Sequence, residues 1–147
     1  MRRMGLIVFV LLTLVGAAAP ARAATGIGVS AGIATGDNNL DTGWIIGADY
    51  ESKIHFGPVV LRGDFTYQSH NPDFSMWGLA ANAMVPFTKF YALGGFGVYT
   101  PNPGDTKLGV QIGGGMYILP AKTLFVEARV ETIDNFTSVP LVVGVRF

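Results

Sequence analysis

Ser69 and His70 stand side by side. A hydroxyl next to an imidazole is the pairing from which nucleophilic hydrolysis is built, and it needs a carboxylate to orient the ring. Asp73 is the only acid nearby, and adjacent residues of an extended segment point to opposite sides, so an ordinary polar edge is expected here. His55, beside a turn, reads as structural. Asp37, Asn39 and Asp41 carry the one-three-five spacing that opens a calcium loop, but Thr42 follows where that loop needs glycine, and no distant acidic ligand is placed. A turn in which Asn and Asp bond to local backbone is the expectation, with no metal and no cofactor. A third set is larger: Asp49, Glu51, Asp64, Glu127 and Glu131 against Arg62, Lys107, Arg129 and Arg146. These nearly balanced charges recur at alternate positions of otherwise apolar segments. Unpaired they would be costly in an interior, so they read as an ion network that fills and fixes a lumen, or, if partners exchange, as the gate of a narrow pore.

What positions these charges is a two-residue period, repeated about eight times from Gly26 to Phe147. In the last repeat Val139, Leu141, Val143, Val145 and Phe147 share one face, and Pro140, Val142, Gly144 and Arg146 the other. In another, Leu124, Val126, Ala128 and Val130 oppose Phe125, Glu127, Arg129 and Glu131. That is the period of a β-strand with one face for an apolar medium and one for charge. Eight such segments in series behind an export signal predict an all-β fold: an eight-stranded antiparallel up-and-down transmembrane β-barrel.

The export signal occupies residues 1–23: Arg2 and Arg3, an apolar run from Leu6 to Val15, then Ala21-Arg22-Ala23. The run is too short to span a bilayer and has the layout of a secretory signal peptide cut after Ala23. Residues 24–147 form one domain, the barrel. Without Arg2, Arg3 and Arg22, seven basic residues face ten acidic ones, a formal charge of −3; nucleic acid, which demands a basic surface, is excluded as a partner. The chain has no Cys, which excludes disulfides and an amino-terminal lipoprotein anchor.

Turn residues place strands near 25–34, 43–52, 58–68, 75–85, 90–100, 107–118, 123–132 and 139–147. The charge-free faces carry Ile27, Val29, Ala31 and Ile33; Trp44, Ile46, Ala48 and Tyr50; Val59, Leu61, Gly63, Phe65 and Tyr67; Trp77, Leu79, Ala81, Ala83 and Val85; Leu108, Val110, Ile112, Gly114, Met116 and Ile118. The opposite faces carry the charges with Gln68, Asn82, Gln111 and many glycines. An eight-stranded barrel has an interior just wide enough to be filled by side chains, so small and paired polar groups belong inside. The fifth segment is apolar on both faces, and we place Tyr91, Leu93, Gly95, Gly97 and Tyr99 outward.

The connections sort by charge. Lys53, Lys89 and Lys122 mark the second, fourth and sixth; Asp37 and Asp41, Asp73, Asp105, and Asp134 mark the first, third, fifth and seventh. With both termini in the periplasm, the Lys turns are periplasmic and the Asp loops face outward. Trp44, Tyr67, Trp77 and Tyr99 then gather at the outer rim and Tyr50, Tyr91 and Phe147 at the inner one, as the aromatic girdles of a membrane barrel do.

Together these residues resemble the small eight-stranded outer-membrane proteins of Gram-negative bacteria, of the opacity-protein type and related in architecture to the OmpA transmembrane domain. The resemblance covers residues 24–147. Val143-Gly144-Val145-Arg146-Phe147 resembles the family's terminal strand, whose final Phe is recognised by the outer-membrane assembly machinery; Gly144 and Phe147 are the candidate assembly signal. Val145 stands where the family usually has a second aromatic. The glycine-rich stretch from Tyr91 to Tyr99 is also similar. The Ser69-His70 pair resembles the surface lipid A deacylases, themselves eight-stranded, in position only.

The expected protein is therefore a non-enzymatic integral outer-membrane barrel with a filled polar lumen, serving envelope structure or surface contact. A narrow solute channel is the alternative, and a lipid-modifying enzyme a further one. Outer-membrane lipids, lipopolysaccharide and the assembly machinery are the expected partners, the outward acids being able to meet lipopolysaccharide phosphates through divalent ions, and a monomer is the expected state. The outward loops, roughly 6 to 9 residues each, are too short for an extensive adhesive surface. No wall-binding domain follows Phe147.

Overall fold

The computed structural model describes residues 26–37, 41–71, 73–118, 124–134 and 136–147; the expected signal peptide, Asn39 and Lys122 lie outside them. Eight strands follow one another: β1 (Ile27–Gly36), β2 (Gly43–Phe56), β3 (Val59–Asn71), β4 (Phe74–Phe87), β5 (Phe90–Asn102), β6 (Lys107–Tyr117), β7 (Leu124–Ile133) and β8 (Phe136–Arg146). Each pairs antiparallel with the next, and β8 closes on β1, with Gly28 opposite Arg146 and Ile33 opposite Leu141. Closure removes the unpaired edges that an open sheet of this length would present.

Five strands run further than the turn residues suggest. β2 and β4 have 14 residues each, β3 and β5 have 13, and β8 starts at Phe136, so the outward connections after β3 and β7 contract to residues 72–73 and 134–135. These two are thus shorter than the roughly 6 to 9 residues expected, because flanking residues such as Asn71 and Phe74 pair across the turn, whereas the first connection, residues 37–42, keeps six. Lys53 lies within β2, exposed, at the irregularity between Glu51 and His55. The β2–β3 turn needs a left-handed residue, and Gly57, with φ of 63°, supplies it.

The two faces separate as the period requires. Ile46, Leu61, Leu79, Ile112 and Leu141 are exposed on the outer wall, while Arg62, Asp64, Glu127, Arg129 and Glu131 are buried. Val145 departs from the pattern: it is buried where it stands opposite Val29 and Leu124.

The fifth strand has the opposite phase to the expected one. Tyr99 is 1% exposed and Tyr91 3%, while Phe96 is 67% exposed. Tyr91 and Tyr99 are therefore lumen residues and not part of an aromatic girdle. The reason is volume. Tyr91 pairs with Gly115, and a Cβ on Gly115 would run into the Tyr91 ring; a Cβ on Gly78 or Gly109 would meet Tyr99. Inward glycines on the flanking strands leave space that only large inward side chains fill. At the end where β1 starts and β8 finishes, Phe56, Phe87 and Phe90 are exposed, as is Tyr50.

Candidate functional site in the barrel lumen

The lumen is built in tiers by residues two apart on successive strands. At its centre Arg62 of β3 gathers three carboxylates from three strands. Its Nε donates to Asp64 Oδ1 at 2.8 Å, and its two terminal nitrogens donate to Glu127 at 2.5 and 3.2 Å. Asp49 Oδ1 lies 3.6 Å from Nη2. This fork-to-carboxylate geometry is the strong form of a charge-assisted hydrogen bond. Glu127 also accepts from the Tyr91 hydroxyl at 2.6 Å. Asp64 accepts from the Asn82 amide, whose oxygen accepts from Gln111 at 2.7 Å. Gln111 in turn accepts from the Tyr99 hydroxyl at 3.2 Å. The phase of β5 thus brings two phenols to groups that need donors.

Arg129 sits above this tier with Glu127, Asp64 and Glu131 at 3.3, 3.6 and 3.8 Å. Its contacts are longer than those of Arg62. Toward the termini, Arg146 donates to Asp49 at 2.9 Å and to the Tyr117 hydroxyl at 3.0 Å, and pairs with Glu51. Its guanidinium also lies 5.0 Å from the Phe125 ring centre. Gly144 makes room for that ring, since a Cβ there would collide with it. Phe147 is half-buried, and its backbone N–H donates to Ile27 at 2.8 Å.

Two apolar clusters share the lumen with the charges. Val60, Met84, Leu93, Tyr117 and Phe125 pack with Tyr91 on the side of the Arg146 contacts. Above them, Met76, Tyr99 and Ile133 pack with Phe74 and Phe136. His70 enters this upper layer edge-on to Phe74 and Phe136. Its Nδ1 is 3.1 Å from the Asp41 carbonyl and its Nε2 is 3.2 Å from Gln68 Oε1. Gln68 donates to Glu131 at 2.6 Å and accepts from Ser138 at 2.9 Å. A polar chain therefore runs from the mouth to the central charges.

Of the expected charge set, Asp49, Arg62, Asp64, Glu127, Glu131, Arg129 and Arg146 are buried together and Glu51 is half-buried beside them. Lys107 is not with them. It stands at the outer end of β6, 44% exposed, paired with Asp134, because it is the first residue of its strand. The lumen thus holds five acids and three arginines, a less even balance than the sequence suggested. Asp37 Oδ1 accepts from the Thr137 backbone N–H at 2.9 Å, which ties β1 to β8; Asp41 is exposed at the start of β2. Among the described residues no group of three or more His, Asp or Glu side chains is placed to hold a metal. Trp44, Tyr67 and Trp77 lie together on the outer wall, with Tyr67 between the two indoles at 5.3 and 4.4 Å. Of the aromatic filling of the lumen, Tyr91 and Tyr99 were what sequence reasoning placed on the wrong side, whereas Phe125 lies on the inward face its period gave it; inward Gly109, Gly113 and Gly115 on one strand were the signal for the two tyrosines.

No family model matches this sequence, and no curated protein matches it. The backbone is similar to a de novo designed transmembrane β-barrel, with a TM-score of 0.68 and 14% identity over 84% of this chain and 97% of that one. It is similar to the neisserial surface protein A, NspA, with a TM-score of 0.61 and 19% identity over 82% and 96% of the two chains. The outer membrane enzyme PagL gives a TM-score of 0.62 and 13% identity over 82% and 99%. Fold and closure are those of the small eight-stranded outer-membrane barrels. The likeness extends over nearly the whole of each of these three proteins and is one of fold.

Proposed function

We propose that this chain is an integral outer-membrane protein that performs no chemistry and serves envelope structure or surface contact through a barrel with a plugged lumen. The observation that carries this is the inside-out distribution: apolar side chains line the outer wall of all eight strands, while an interlocked charge network and two buried apolar clusters fill the axis. In water that wall would expose far more contiguous apolar surface than a soluble monomer carries. In a bilayer it meets acyl chains, and the closed barrel satisfies every backbone group internally.

The end carrying both termini faces the periplasm and the Asp-bearing end faces outward, where the acids meet lipopolysaccharide phosphates through divalent ions. Signal-peptide export, folding by the assembly machinery and a monomeric state complete the reading. A catalytic role at Ser69 and His70 is disfavoured by geometry: His70 points into the lumen and bonds an amide and a backbone carbonyl, while Ser69 has the opposite phase on the strand. Membrane fractionation with heat-modifiable electrophoretic mobility tests the class; recovery in the soluble fraction refutes it. Planar-bilayer recording tests the plug. No single-channel steps are expected, and steps abolished by Arg129→Met would establish the narrow-pore reading instead.

A further inference from the structure

The outer wall is not smooth between β2, β3 and β4. Ile46, Gly47, Ala48, Phe65, Tyr67 and Trp77 enclose a groove of about 200 Å³ whose lining presents no polar surface. Register explains it. Ala48 stands opposite Phe65, and Tyr67 stands opposite both Ile46 and Trp77; a methyl beside large rings leaves a step in the wall. The rings hold one another. Trp44 and Tyr67 are 5.3 Å apart, Tyr67 and Trp77 4.4 Å, and Phe65 and Trp77 5.3 Å. A wall already fixed by mutual packing loses little side-chain freedom when a ligand settles against it.

We propose that this groove holds one acyl chain of a lipid from the outer leaflet, a reading that rests on the membrane location argued above. Three features select that occupant. The groove surface is apolar, which suits an acyl chain better than a peptide backbone, whose donors and acceptors must be satisfied. The groove starts at the level of Tyr67 and Trp77, on the side of the connections that carry Asp41 and Asp73, and descends to Ala48 in the middle of β2. That is the course of a chain from the interface toward the bilayer centre. It is also continuous with the apolar wall around it, where Ile46, Phe65 and Leu79 are exposed. A second copy of this chain would need a contact of roughly 800 Å² per partner, far larger than a groove bounded by six residues.

The chain contains two tryptophans: Trp77 lines this groove, and Trp44 stands against its lining residue Tyr67. The full chain, folded in a non-quenching detergent, is titrated with phosphatidylcholine brominated midway along its acyl chains, and the same mixture is read by native mass spectrometry. Saturable loss of tryptophan emission at one lipid per barrel, with one lipid retained in the mass spectrum, is the expected result. Ala48→Phe fills the groove and Ile46→Trp narrows it, the latter read by retained mass alone; each abolishes retention, whereas Ala128→Phe on β7 leaves it intact. Heat-modifiable mobility verifies that each variant is folded. Equal retention by wild type and by whichever groove variant folds overturns the proposal, as does quenching that only follows the brominated fraction of the micelle, or a dimer mass in place of the lipid adduct. A chain that folds in water without detergent or lipid instead refutes the membrane reading on which the groove depends.

Discussion

Replacing Arg62 by Met removes the cation shared by Asp49, Asp64 and Glu127 while keeping most of the side-chain volume. In the wild-type lumen Arg62 donates to Asp64 and, through both terminal nitrogens, to Glu127, and it is 4% exposed. Without it, Asp49 keeps Arg146 at 2.9 Å. Asp64 and Glu127 keep only Arg129 as a cation, at 3.6 and 3.3 Å, beside their neutral donors Asn82 and Tyr91. Five acids then face two arginines. Removing one member of a buried ion pair costs about 3–5 kcal/mol because the partner stays buried without compensation, and Arg62 has partners on three strands, so the loss should fall in the upper part of that range. Lys107→Met supplies the internal contrast. Its pair with Asp134 is nearly half exposed on both sides, and such pairs are worth about 0–1 kcal/mol. Urea unfolding of the protein in lipid vesicles, followed by tryptophan emission and by heat-modifiable mobility, gives both values. Arg62→Met combined with Glu127→Gln should recover part of the loss, since the double change removes both charges of Arg62's own tightest pair. An Arg62→Met loss no greater than that of Lys107→Met would refute the view that the interlocked charges organise the lumen.

Two further outcomes follow from the same geometry. Gly144→Leu drives a side chain into the Phe125 ring and should destabilise by about 1–3 kcal/mol, as overpacking of a filled interior does; a midpoint of urea unfolding equal to that of wild type would contradict it. Ile112→Arg, at an outer-wall position 68% exposed on β6, should cost about 2–4 kcal/mol in a bilayer, the penalty for Arg near the midplane of a barrel. A neutral effect in the same unfolding measurement would mean that this wall does not face lipid.

How much of this was legible in the sequence depends on whether the two faces of a strand differ chemically. Where Glu127, Arg129 and Glu131 alternate with Val126, Ala128 and Val130, the period alone fixes which side turns inward, and the structure agrees. Where Tyr91, Leu93 and Tyr99 alternate with Phe90, Phe96 and Val98, both faces are apolar, and hydropathy carries no sign. The decision then passes to volume, which is set by glycines on a neighbouring strand and becomes visible only once register pairs Tyr91 with Gly115. The charged set was readable as a set, but its wiring was not. That Arg62 holds tighter pairs than Arg129, and that Lys107 stands outside at the mouth, follows from strand stagger, which no single segment encodes. Strand ends were similarly hidden, because residues such as Asn71 and Asn102 read as turn formers yet continue the ladder.

The most direct test of the account is the side each strand presents to lipid. Because the chain has no cysteine, single spin labels can be placed through Leu61→Cys, Phe96→Cys and Leu141→Cys on the outer wall and through Ala80→Cys and Val142→Cys in the lumen. In vesicles, the three outer labels should show high collision rates with dissolved oxygen and low rates with a water-soluble nickel complex, and the two lumen labels should show low rates with oxygen. Outer labels that collide with the nickel complex as freely as an exposed label in water, or lumen labels more open to oxygen than the outer ones, would contradict it.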